Sequence, residues 1–138
     1  MSFEVFLQCF DHGEPAGVSR AAIRSLFPVV ESESEPDYWS VRYGPGSWCH
    51  IGITPFAENA SLVESLYVCR PCADIHLWDS LLAVMRLGSV VLYFPGGDAP
   101  LVATATAGDE LPAEMVEALG RPRVVRTGQE VVEIIKHS

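Results

Sequence analysis

The sequence predicts a single α+β domain built on a mostly antiparallel sheet, and three observations support this prediction. First, the chain has 138 residues, of which 49% are hydrophobic, enough for one domain whose folding buries about two-thirds of its surface. Second, short apolar segments are grouped around turns rich in glycine and proline, as in β-hairpins. Third, helical patterns lie among them without the regular strand–helix–strand alternation of a parallel sheet.

The N-terminal half contains four predicted strands and one predicted helix. Residues 3–10 are apolar and aromatic, which predicts a strand buried on both faces. Residues 18–27 have apolar side chains at helical spacing, and the proline that follows ends the predicted helix. Residues 38–43 and 48–53 flank a Gly-Pro-Gly turn and predict a hairpin, to which residues 62–68 add a third strand.

The clearest helix is predicted for residues 75–87. Apolar side chains such as Trp78 and Leu82 form a wide face and leave only a narrow polar one, so we expect this amphipathic helix to be largely buried. Asp74 is suited to cap its N-terminus, and Gly88 is suited to follow its last turn.

The C-terminal part predicts another hairpin and two shorter helices. Strands are expected at 90–94 and 101–106, on either side of a Pro-Gly-Gly-Asp turn. A helix over 112–119 starts at a proline and is ended by a glycine. A brief strand at 124–125 precedes a helix over 128–136, where a Thr-Gly-Gln-Glu stretch has the spacing of a capping box.

The charge balance restricts the classes of partner. Eighteen acidic and nine basic residues give a formal net charge of −9, which argues against nucleic acid, because nucleic-acid binding depends on basic side chains. No apolar run reaches the ~18 residues of a membrane span, and the first residues lack the pattern of a secretory signal. We therefore expect a soluble cytoplasmic protein with reduced cysteines. The composition leaves its oligomeric state open.

The most specific motif is Cys69-Arg70-Pro71-Cys72, which follows an apolar strand and precedes the helix over 75–87. Strand, Cys-x-Pro-Cys and helix in this order resemble the redox motif of thioredoxin-like proteins. The resemblance implies a thiol–disulfide oxidoreductase in which Cys69 is the nucleophile and Cys72 the resolving thiol.

Two other interpretations of the cysteine pair are open. A zinc site would need further ligands, for which Cys49 and His50 are candidates, but neighbours in a strand point to opposite faces and would not ligate one ion together. Alternatively, Cys69 and Cys72 are small apolar side chains that close a strand-to-helix turn. We predict that the pair stays reduced and that the protein binds neither a metal nor a cofactor.

Four carboxylates cluster at Glu31, Glu33, Glu35 and Asp37. A strand here would place the three glutamates on one face, whereas a loop would simply expose them. We expect exposure, because burial would require matching cations, and we expect the clustering to contribute nothing to the isolated fold. The predicted role of these residues is contact with a basic protein partner, whose approach their charge would steer.

Small acidic α+β chains with such a segment resemble bacterial immunity proteins, which neutralise secreted toxins. The resemblance implies a non-enzymatic binding protein. The function predicted from the sequence is therefore binding of a basic protein, and the alternative is thiol–disulfide exchange at Cys69 and Cys72.

The remaining aromatic and histidine residues give weaker indications of function. We expect Trp39, Trp48 and Trp78 to lie in the core. His12 follows Asp11 in a glycine-containing loop, an arrangement that fits either an acid–base site or an ordinary exposed loop.

Overall fold

A computed structural model describes residues 4–97 and 99–137. The elements of the first half are β1 (Glu4–Asp11), β2 (Glu14–Pro15), β3 (Val18–Ser19), α1 (Arg20–Arg24), a 3₁₀ turn (Glu31–Glu33), β4 (Tyr38–Gly44), β5 (Ser47–Phe56) and β6 (Asn59–Cys69). Those of the second half are α2 (Ile75–Met85), β7 (Val90–Tyr93), β8 (Leu101–Val102), α3 (Ala105–Asp109), α4 (Ala113–Leu119), β9 (Arg123–Val124) and α5 (Gly128–Lys136).

One sheet organises the described part of the chain. Its strands run in the order β4-β5-β6-β1-β7-β8-β9, with β2 paired to β1 and β3 paired to β6. These pairs are antiparallel except for β8 and β9, which are parallel. The predicted α+β class with a mostly antiparallel sheet is thus confirmed. The apolar strand β1 lies in the middle of the sheet, between β6 and β7.

Helix α2 buries its apolar side chains in the main core, on one face of the sheet. Its buried residues are Leu77, Trp78, Leu81, Leu82, Val84 and Met85. As expected, Asp74 caps the helix: its carboxylate accepts a hydrogen bond of 2.9 Å from the backbone amide of His76. The helix ends two residues before the predicted boundary, and Gly88 lies in the turn that follows.

Helix α5 packs against α2 through its first turn. A Cβ at Gly128 would lie 2.5 Å from an oxygen of Asp79, so only a glycine allows this approach. Thr127 caps the helix by accepting a hydrogen bond of 3.1 Å from the amide of Glu130. The Glu130 carboxylate in turn accepts a hydrogen bond from the backbone amide of Arg126. In a standard capping box the donor would be the amide of the N-cap residue, which here is Thr127.

Two predicted elements are shorter than expected. The helix predicted over 18–27 starts two residues late, because Val18 pairs with Val63 of β6 and so belongs to the sheet. It also ends at Arg24. In the strand predicted over 101–106, only the first two residues pair with neighbours. Helix α3, which was not predicted, follows directly.

Helix α4 follows the prediction closely, and Gly120 ends it with a φ of 94°. Pro112 precedes the helix as its N-cap residue instead of opening its first turn. Two residues of predicted elements, Phe3 in the strand over 3–10 and Asp98 in the turn after β7, lie outside the described residues.

The second face of the sheet is only partly covered. A small apolar cluster, with residues of α3 and the segment after it, covers one end of this face. Its members are Phe10, Val91, Val102, Ala107 and Leu111. Further along, side chains of β1, β4, β5, β6 and β7 on this face are mostly half-buried or exposed, and we call this region the open face. Phe6 and Gln8 lie here half-buried, so the prediction that the first strand is buried on both faces is wrong for its centre.

None of the described helices has the length and apolarity that a membrane crossing requires; α2, for example, has 11 residues.

Candidate functional site

A row of aromatic side chains crosses five strands on the open face. The strand register pairs Tyr93 with Phe6 and Phe6 with Tyr67, and it places Gly52 between Tyr67 and Tyr38. The rings of Phe6 and Tyr93 stack with their centroids 5.4 Å apart. The ring of Tyr67 lies across Gly52, where a Cβ would be only 2.1 Å from it. The register thus places aromatic side chains next to one another on this face from β7 to β4, with Gly52 under the Tyr67 ring.

At β4 the row ends in a cluster of three rings. The His50 ring stacks on Tyr38 with centroids 5.1 Å apart and meets Trp48 edge-on at 5.3 Å. Trp48 is 52% exposed and Tyr38 is 38% exposed. We call these three residues the aromatic patch. They border a pocket of about 430 Å³ that Cys69 and Arg70 also line.

The expectation that all three tryptophans belong to the core is wrong for Trp48. Trp39 and Trp78 are buried, but Trp48 lies opposite Arg42 on the open face. The signal was present in the sequence, because Trp48 and the buried Cys49 are neighbours in one strand and must point to opposite faces.

The acidic segment, residues 31–37, runs beside β4 as a 3₁₀ turn followed by extended chain, and its four carboxylate-bearing residues are exposed. Three of the four carboxylates pair with arginines of the same chain. The pairs are Glu31 with Arg24, Glu33 with Arg42 at 3.4 Å, and Asp37 with Arg20 at 3.0 Å. These carboxylates therefore link the segment to α1 and β4, a role in the isolated fold that the sequence analysis missed.

The acidic segment borders the aromatic patch directly. The Glu33 carboxylate accepts a hydrogen bond of 3.3 Å from the hydroxyl of Ser40, and both Ser40 and Arg42 belong to the open face of β4. The backbone amides of Glu35 and Tyr38 donate to each other's carbonyl oxygens, at 2.8 and 3.3 Å. Carboxylates and exposed rings thus form one continuous surface at this edge of the sheet.

Cys69 and Cys72 lie on different sides of the sheet. Cys69 is the last residue of β6, and it lies between His50 and Glu4 on the open face. Cys72 is half-buried and packs against the main core. Cys49 belongs to the same core, so Cys49 and Cys72 lie on the same side of the sheet. The spacing of the motif alone could not show this separation. It arises because Cys69 is the last residue of β6 and Cys72 lies in the loop that follows.

The surroundings of Cys69 do not activate its thiol. Helix α2 begins only at Ile75, and Asp74 already occupies the capping position at its N-terminus. Burial and the nearby Glu4 carboxylate raise the pKa of Cys69, whereas reactive thiols of dithiol oxidoreductases have a lowered pKa. The geometry adds no support to the oxidoreductase alternative, which stays a prediction.

Asp11, His12 and Glu110 form the one group of three possible metal ligands that lie within 4.8 Å of one another in the described ranges. His12 Nδ1 is 2.6 Å from Asp11 Oδ1 and 3.6 Å from Glu110 Oε2. The hydrogen bond that the His12 ring donates to the Asp11 carboxylate raises the pKa of His12, although the ring is exposed. Gly13 also donates to the carbonyl of Glu110 at 2.8 Å, so the group ties the turn after β1 to the end of α3. Glu110 escaped the sequence analysis because it lies 98 residues from His12.

Comparisons of the chain with models of protein families, with curated proteins and with solved structures found no match. The fold defines an α+β protein with a partly uncovered antiparallel sheet, and no family relationship adds to that description.

Proposed function

We propose that this protein is a non-enzymatic binding protein that holds a basic protein partner against the aromatic patch and the acidic segment. The observation that carries the proposal is the position of the half-exposed Trp48, in ring contact with His50 and on the face that Glu33 borders. A partner that binds at this surface would make an apolar contact with the exposed ring and ionic contacts with the carboxylates beside it.

The aromatic part of this surface would supply most of the binding energy. Tryptophan and tyrosine bury a large area on association and dominate the energetics of protein interfaces. The partner's arginine or lysine side chains would suit the same rings, because cations are attracted to the faces of aromatic rings. Trp48 and Tyr38 therefore favour a basic partner as well as an apolar contact.

The acidic part would supply attraction and orientation. The chain has a net charge of −9, and Glu35 forms no ion pair with the residues that the structure describes. The pair of Glu33 with Arg42 is about half-exposed on both sides, and such surface pairs contribute about 0–1 kcal/mol. A basic side chain of the partner could replace Arg42 at Glu33 with little loss.

The more specific form of the proposal is neutralisation of a toxin, as by an immunity protein in the cytoplasm. A toxin that acts on nucleic acid presents a basic surface to its substrate. An acidic protein that covers this surface would block access of the substrate, and attraction between opposite charges would speed the encounter.

Two variants test the proposal once a partner has been cross-linked in the native cell and purified. We expect Trp48→Ala to weaken the affinity about tenfold or more at both low and high salt, because the lost contact is apolar. We expect the double variant Glu33→Lys with Glu35→Lys to weaken it strongly at low salt and less at high salt, because salt screens charges. Titration calorimetry at the two salt concentrations measures both effects.

The matched control is Glu114→Lys with Glu117→Lys, which makes the same change of charge at exposed positions of α4. This control should keep nearly the wild-type affinity. The proposal fails if neither test variant changes the affinity, or if the control weakens binding as much as the variant in the acidic segment. Reduction of insulin by the protein, abolished by replacing Cys69 and Cys72 with serine, would favour the oxidoreductase alternative instead.

A further inference from the structure

Four of the nine basic side chains lie at the end of the sheet that β9 forms. Arg123 belongs to β9, Arg121 and Arg126 lie two residues before and after this strand, and all three are exposed. Arg86, the exposed residue after α2, donates a hydrogen bond of 2.8 Å from its guanidinium to the backbone carbonyl of Arg126. We propose that these four arginines, the arginine surface, bind an extended acidic segment of a partner protein along the outer edge of β9.

The guanidinium groups of the arginine surface lack carboxylate partners. None of the four forms an ion pair with the residues that the structure describes, although the chain has twice as many acidic as basic residues. Arg20, Arg24 and Arg42, in contrast, each pair with the acidic segment. The Glu130 carboxylate accepts a hydrogen bond of 3.0 Å from the backbone amide of Arg126, not from its guanidinium. Because like charges repel, this clustering favours an anionic partner.

The backbone of β9 leaves one edge of the sheet open. β9 is the last of the described strands in the sheet order. The amides of Arg123 and Val125 donate to the carbonyls of Pro100 and Val102, at 2.9 and 2.8 Å. Since successive residues of a strand turn their backbone groups to opposite sides, the amide and the carbonyl of Val124 point away from β8. Val124 is 42% exposed, so an extended chain can pair with it as an additional strand.

The charge of the arginine surface selects an acidic occupant for this edge. Guanidinium groups bind carboxylates through two parallel hydrogen bonds. Pro122 has no amide to donate and precedes β9, which keeps the backbone pairing short, so contacts with the arginines would supply most of the affinity. A long nucleic acid is less suited than a short acidic segment, because it would extend beyond the arginine surface over a chain with a net charge of −9.

The arginine surface and the acidic segment lie at opposite ends of the sheet. The strand order separates β9 from β4 by six strand spacings, which is about 29 Å along the sheet. Exposed charges are largely screened beyond ~8 Å at physiological salt. A partner at β9 is therefore independent of the basic partner proposed above, and the molecule has room for both.

A labelled synthetic peptide of alternating glutamate and valine tests the inference, with fluorescence anisotropy as the measurement. We expect the peptide to bind, and the same peptide with lysine in place of glutamate not to bind. Arg123→Glu should weaken the affinity about tenfold or more at low salt and less at high salt, because salt screens the charges. Arg70→Glu makes the same change of charge at an exposed position away from β9 and should stay within about twofold of wild type. Circular dichroism verifies that both variants are folded.

Hydrogen exchange of the Val124 amide, followed by nuclear magnetic resonance, tests the added strand separately. This amide points to solvent in the protein alone and should exchange quickly. Binding of the glutamate peptide should slow its exchange about tenfold or more, because the amide then donates to the peptide. The amide of Val125 is the internal control, since it already donates to Val102 and should exchange slowly in both states.

Four outcomes would overturn the inference. The first is that the glutamate peptide does not bind. The second is an equal loss of affinity in Arg123→Glu and Arg70→Glu, which would place the contact elsewhere. The third is exchange at Val124 that the bound peptide does not slow, which would leave the edge of β9 unused. The fourth is a single-stranded oligonucleotide that binds at least as tightly as the peptide and depends equally on Arg123, which would make this a nucleic-acid surface.

Discussion

The ring of Tyr67 takes the place of the side chain that Gly52 lacks. Glycine weakens a strand, because it has no side chain to pack, and an aromatic ring from the paired strand can cover the gap. Here the ring atoms would be 2.1–2.5 Å from a Cβ at Gly52. This pair fixes the position of Tyr67 and joins the inner part of the aromatic row to Tyr38 at the edge of the sheet.

We predict that Gly52→Ala destabilises the protein by about 1–3 kcal/mol, because the added methyl group displaces the Tyr67 ring. Urea unfolding measures the loss, and the near-ultraviolet circular dichroism of the tyrosines reports the movement of the ring. Gly44→Ala is the matched control, since it lies in β4 and a Cβ there meets nothing within 4 Å. Equal stability of the two variants would show that the ring does not depend on Gly52.

Individual side chains were the hardest part of the site to predict. The clustered carboxylates were visible in the sequence, but their pairing with Arg24, Arg42 and Arg20 depends on where α1 and β4 lie. The separation of Cys69 from Cys72 likewise depends on the fold, which places Cys69 beside His50 on the open face and packs Cys72 against the main core.

Among the elements, α2 has the strongest helical signal in the sequence, because its apolar face extends over three turns and a single strand cannot satisfy that pattern. The short elements were less predictable. Val18 fits either a helix or a strand by local pattern, and its pairing with Val63, far along the chain, decides in favour of the strand. A two-residue strand such as β8 likewise has no periodicity to detect.

We predict that Leu82→Asp unfolds the protein or costs at least about 3 kcal/mol, because Leu82 is 3% exposed and the carboxylate would be buried without a partner. Thermal unfolding followed by far-ultraviolet circular dichroism measures the effect. Leu87→Asp makes the same substitution at a position that is 40% exposed, just after the helix, and should change stability by less than about 0.5 kcal/mol. An unchanged melting temperature for Leu82→Asp would refute the assignment of the buried face.

For the molecule as a whole, the decisive property is the difference between the two faces of the sheet. Alternation along β5 predicts that Trp48 and His50 share one face and that Cys49 and Ile51 share the other. It does not predict which face the helices cover, since that depends on how α2 and α5 pack against the sheet. The fold class followed from patterns along the chain, but the surface offered to a partner followed only from the assembled fold.

The three tryptophans report on this difference, because Trp39 and Trp78 are 1% and 5% exposed and Trp48 is 52% exposed. We predict that acrylamide, a neutral quencher, suppresses one fraction of the tryptophan fluorescence readily, and that Trp48→Phe removes this fraction while the remaining emission resists quenching until the protein unfolds. If Trp48→Phe is quenched as readily as wild type, a second tryptophan is accessible and the core is looser than described. If quenching of wild type falls as protein concentration rises, copies of the chain cover the open face themselves, and a basic partner would have to compete with them.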